Sequence, residues 1–139
     1  MSAQQQADEL KTLLDSITTS YLRLGFDMAD QWQSFARQNG GSFTDEQMRA
    51  AAGDFLKSQQ PFFDAYKSMA HFSLGVIQSG NTFEPQTVDA FVAYVRFQDD
   101  LAAVISRPSG GPMGYRRKLE DFQQRQAANS GRLRDLLGR

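Results

Sequence analysis

The sequence contains no cysteine. That excludes disulfide scaffolds, thiolate zinc sites and cysteine nucleophiles. Its single histidine, His71, excludes a multi-histidine metal centre within one chain. One axial histidine suffices for a haem, but the helix lengths expected below do not match a globin, and His71 reads as a packed or surface residue. Long apolar runs are also missing: the longest reach a few residues, against the roughly 20 needed to span a bilayer. The start MSAQQQADEL has no basic stretch leading into an apolar run, so no secretory signal is expected. A net charge of −1 provides no global attraction to nucleic acid. No Glu-x-x-His pair is present to build a carboxylate metal site in a bundle. No Gly-x-Ser-x-Gly elbow marks a hydrolase nucleophile, and no Gly-Lys-[Ser/Thr] closes a phosphate loop. The expectation is a protein that is not an enzyme and carries no cofactor or metal.

Phenylalanine, in contrast, is abundant, with 11 residues against one Trp and four Tyr. Each ring can remove about 150–250 Å² from water, so a chain of 139 residues can build a core without cross-links.

The apolar spacing predicts an all-α fold, a bundle of three to four long helices over about 7–38, 45–78, 85–106 and 115–137. In the first, Leu10, Leu14, Ile17, Tyr21, Leu24, Met28 and Phe35 follow a heptad rhythm. Leu13, Phe26 and Trp32 widen that face beyond a two-stranded seam, which favours a globular bundle over a simple coiled coil. Asn39-Gly40-Gly41 supplies a stop. Thr44 to Gln47 fits a capping box, flanked by Phe43 and Met48 as a hydrophobic staple. The second helix is expected to bury Met48, Ala52, Phe55, Phe62, Tyr66, Met69 and Val76. Pro61 interrupts it without breaking the register, which points to a kinked rod or two collinear helices. The third helix has two apolar rows, Val88-Phe91-Val95-Ile105 and Ala90-Tyr94-Phe97-Leu101-Val104, and so is expected at the centre.

The domain organisation expected is a helical bundle over 1–106, a flexible Gly/Pro linker over 107–114 and an amphipathic basic helix over 115–139. Residues 1–112 carry 8 basic and 13 acidic groups, whereas 113–139 carry 7 basic and 3 acidic. Such a division suggests a tail with its own partner. The last helix has polar residues, Gln126 and Asn129, within its apolar row. Tyr115, Arg116, Arg117, Lys118, Leu119, Phe122, Arg125, Arg132, Leu133 and Leu136 are therefore the candidate partner or self-association surface. Cations at 116–118 would also oppose the dipole of a helix starting at 115.

The resulting functional expectation is a structural or assembly protein, soluble, cytoplasmic or particle-associated. It would act as a small subunit or adaptor of a larger oligomer or particle, a virion included. One alternative is a phasin-like amphipathic coat on a hydrophobic surface. Another is a bundle holding an apolar small molecule in a cavity lined by residues such as Phe62, Tyr66, Met69 and Phe91. Nucleic acid is disfavoured as a partner for want of aromatic and basic interleaving.

Overall fold

A computed structural model describes residues 2–138. They form four helices: α1 (Ala3–Gln38), α2 (Asp45–Ser79), α3 (Pro85–Ser106) and α4 (Gly111–Leu136). Among the described residues there is no strand. The expected all-α bundle is thus the observed one.

The helix ends follow from local chemistry. Ser2 caps α1 and Thr44 caps α2, each through a reciprocal box in which the hydroxyl accepts from the N3 amide and the N3 glutamine accepts from the cap amide. These bonds satisfy donors that the first helical turn leaves open. At the end of α1, Gly40 and Gly41 both adopt positive φ, and the Gly41 amide donates to the Ala36 carbonyl at 2.6 Å. This is the Schellman arrangement, which glycine adopts without a Cβ penalty.

The largest boundary difference lies at α4. It begins at Gly111, four residues before the expected start at 115. Gly110 turns the chain in the left-handed conformation, and Pro112 stands in the first turn, where its missing amide costs nothing. The connection shrinks to residues 107–110, and Pro108 within it is buried. The Gly111 amide donates to Asp45 Oδ1 at 2.7 Å, which ties the start of α4 to the start of α2. Backbone hydrogen bonds from Gly111 and Gly110 hold the Asp45 carboxyl below the usual carboxylate range. Arg116, Arg117 and Lys118 therefore sit beyond the first turn, and the expected conflict with the helix dipole does not arise.

Both α1 and α3 touch all three other helices, and α4 lies along α1. Burial is densest on α3, where nine of 22 residues are buried, against seven of 35 on α2. The core row of α1 runs through Leu10, Leu14, Ile17, Tyr21 and Met28, then moves to Ala29 and Trp32. Phe35 ends on the outside because a straight helix drifts about 20° per heptad from a strict seven-residue row. Trp32 meets Tyr115 edge-on at 5.1 Å, and Phe97 packs on Phe122 at 5.3 Å.

A polar spine crosses this core. Thr18 Oγ1 donates to Gln98 Oε1, and both residues are buried. Tyr94 Oη donates to Asp15 Oδ1 at 2.6 Å and accepts from Gln126 Nε2 at 3.2 Å. Lys11 bonds Asp15 and Ser130. The polar break at Gln126 in the apolar row of α4 is thus the point where this helix meets the spine.

Close helix approach is concentrated at Gly25. A Cβ there would lie 2.9 Å from both terminal methyls of the fully buried Leu119. Gly25→Leu is expected to lower unfolding free energy by about 1–3 kcal/mol through overpacking, despite the higher helix propensity of leucine. Urea denaturation followed by far-UV circular dichroism measures it, and an unchanged midpoint would refute the tight α1–α4 crossing.

Candidate interaction surface

The ten residues singled out on α4 are drawn mostly into the bundle. Tyr115, Leu119, Phe122 and Leu133 are buried, and Leu136 packs half-buried against the core. Arg116 forms an ion pair with Asp30, donates to Gln33 Oε1 at 3.1 Å and lies over the Phe26 ring. Lys118 Nζ donates to Ser109 Oγ at 2.6 Å. Arg125 lies over the rings of Phe97 and Phe122. Arg117 and Arg132 point to solvent. The basic helix is therefore largely matched by the acidic, aromatic body of its own chain, and Met113 is its one exposed large hydrophobic residue among those described.

A different helix carries the exposed apolar surface. Of the row expected to be buried on α2, only Met48 and Ala52 are buried, and Tyr66 is half-buried. Phe55, Phe62, Met69 and Val76 face outward. The row that enters the core is Leu56, Phe63, Ala70, Leu74 and Ile77. Four of its members, Leu56, Phe63, Ala70 and Ile77, sit one residue after Phe55, Phe62, Met69 and Val76, a rotation of about 100° around the helix. Two heptad-spaced apolar rows exist side by side on α2, and periodicity alone does not say which one turns inward. The signal that could have found this was the second row itself, the same feature that marks α3 as apolar on two sides.

The outer row is the densest apolar feature on the surface. Phe55, Phe62, Met69, Phe72 and Val76 are all exposed, with Phe72 the most open at 76%. They repeat at heptad spacing over a length of about 31 Å. Between them stand only small residues, Ala51, Ser58, Ala65 and Ser79. No charged side chain belongs to this strip; Lys57, Asp64, Lys67 and His71 lie around the helix from it. His71 Nε2 is hydrogen-bonded to Asp99 Oδ2 at 2.6 Å, which links α2 to α3. Near the first end of the strip, Phe55 and the exposed Phe35 border a cleft of about 250 Å³ with Trp32 and Met28. The strip leaves on the order of 600 Å² of apolar surface in water, at the upper end of what a typical monomer exposes in one patch.

The cavity expected for an apolar small molecule is not assembled. Phe62 and Met69 lie on the outside, whereas Phe91 is fully buried. A larger, open cleft of about 510 Å³ lies between α2 and the α3–α4 connection, lined by Leu56, Pro108, Arg49, Lys57 and Arg107. Among the described residues no group of three or more His, Asp or Glu gathers to hold a metal ion, and no helix is long and apolar enough to cross a membrane. No protein-family model matches the chain, and neither a curated protein nor a solved structure matches it.

Proposed function

We propose that this chain is a non-enzymatic helical assembly protein whose docking face is the outer side of α2. The observation that carries the reading is the heptad strip Phe55, Phe62, Met69, Phe72 and Val76, exposed on a helix that already buries a full second row. Helices recognise apolar partners through such i, i+3, i+4, i+7 anchors. The bundle behind the strip serves as a rigid mount, since the Asp45–Gly111 and His71–Asp99 hydrogen bonds and the Phe63–Tyr21 ring contact hold α2 in place.

The test compares the full chain with a Phe62→Gln/Phe72→Gln variant in the cells that produce it. The expected result is a native size above 15.6 kDa for the wild-type chain and a fall to that mass for the variant. At high dilution, where the chain is alone, the purified variant stays within about 0.5 kcal/mol of wild type in stability, because both rings lie outside the core. A variant that keeps the wild-type native size would refute the reading.

The phasin-like alternative draws support from Phe72, the most exposed of the rings. Under it, the wild-type chain floats with oil droplets in a density gradient while the double variant stays in the aqueous layer.

A further inference from the structure

The outer face of α2 carries two seam positions of unequal size. Its large residues, Phe55, Phe62, Met69 and Val76, occupy one heptad position, and the other seam position holds Ala51, Ser58, Ala65, Phe72 and Ser79. Four of those five are small. In a parallel, in-register pair the large residues would face large ones and the small residues small ones. Such a seam alternates crowded layers with voids, and interdigitated cores avoid both.

Antiparallel pairing brings the two seam positions opposite each other. With the two-fold axis at residue 67, Phe55 faces Ser79 of a second copy, Val76 faces Ser58 and Met69 faces Ala65. Phe62 meets Phe72, a ring pair that occurs twice by symmetry. Three of the four kinds of layer thus combine a large with a small side chain. Antiparallel helices also align their dipoles favourably. The charge pattern permits close approach, because no charged residue lies in the seam and Asp54 is the only one directly beside it. The large seam residues expose on the order of 600 Å² per copy, and the small residues between them bring the total toward the roughly 800 Å² per partner that a standard interface buries.

We propose that the occupant of this face is the same face of a second copy, packed antiparallel along α2 to form a two-fold dimer. This rests on the reading of outer α2 as the docking face. An isologous contact of this kind closes on itself and leaves α1, α3 and α4 outside the interface.

Light scattering and sedimentation of the purified full chain test it. The expected result is a mass moving from 15.6 kDa to twice that value with rising concentration, with the transition at about micromolar levels. Phe62→Gln weakens the dimer about 100-fold, since each dimer loses two central rings. The absence of native cysteine gives a clean background for cross-linking. Mixed Ala65→Cys and Met69→Cys chains should oxidise to a joint dimer faster than either chain joins to itself. A wild-type chain that stays monomeric to about millimolar concentration overturns the proposal, as does a dimer unaffected by Phe62→Gln. Faster self-linking of Ala65→Cys overturns the antiparallel arrangement. A monomeric pure chain whose larger size in the producing cells still depends on Phe62 and Phe72 removes the self-pairing and leaves the docking face standing. Flotation of that monomer with oil droplets assigns the face to an apolar surface instead.

Discussion

Phe63→Ala is expected to lower unfolding free energy by about 3–5 kcal/mol, the usual cost of deleting a buried ring. Its neighbour Phe62→Ala should change stability by less than about 0.5 kcal/mol. The two residues differ by one position and carry the same side chain, yet Phe63 is 5% exposed and Phe62 is 55% exposed. Phe63 meets the Tyr21 ring edge-on at 5.2 Å, so its removal opens a void and ends an aromatic pair between α2 and α1. Phe62 loses only contact with water and with whatever covers the outer face. In a chain of this length the Phe63 effect corresponds to roughly 10–17 °C in melting temperature. Urea titrations at high dilution, where self-association is absent, separate the two variants. Equal destabilisation would place α2 in the wrong rotation and remove the exposed strip with it.

The same pair of residues shows where sequence reasoning stops. Helix existence, type and most boundaries were readable, because caps at Thr44 and Asn39-Gly40-Gly41 rest on local chemistry. The core faces of α3 and of α1 as far as Met28 were also readable: α1 presents one dominant apolar arc there, and α3 buries residues of both its apolar rows. On α2 the arc is twice as wide as the bundle covers. Which half turns inward depends on the shapes of α1 and α3, and that information lies far away in sequence. The inner row Leu56, Phe63, Ala70 and Ile77 keeps the same seven-residue step as Phe55, Phe62, Met69 and Val76, so spacing alone favours neither.

The last helix shows a related effect. Its polar interruptions suggested an underfilled face in need of a partner. Gln126 instead meets Tyr94 and, through it, Asp15. A glutamine in an apolar row is a deficit only when nothing polar faces it, and a single helix does not reveal what faces it. The cations of this helix follow the same logic. Arg116 and Arg125 look like an offered charge in the sequence, but they lie over rings of the chain's own body. The exposed apolar surface thus lies on α2 and not on the charged, loosely patterned α4.

Alkaline unfolding provides a second large effect, and its origin is the buried tyrosines of the core. Burial pushes the hydroxyls of Tyr21, Tyr94 and Tyr115 well above their ordinary value of 10, because the phenolate would lose its hydration; for Tyr94 the hydrogen bond to Asp15 adds to the shift. In the unfolded chain the same groups ionise near pH 10. Above that pH the unfolded state binds fewer protons than the native state, so stability falls as pH rises and is unaffected below it. Each tyrosine contributes about 1.4 kcal/mol per pH unit, and three together on the order of 4 kcal/mol per unit. A domain stabilised by about 5–12 kcal/mol therefore unfolds between roughly pH 11 and 13. Phenolate absorbance at 295 nm is expected to rise together with loss of helical ellipticity. Tyr115→Phe removes a hydroxyl that has no hydrogen-bond partner among the described residues. It should move the alkaline midpoint upward while leaving neutral-pH stability unchanged or slightly improved. If instead the tyrosines titrate in step near pH 10 with the helices intact, they are open to water and the core packing around α1, α3 and α4 is looser than their burial indicates.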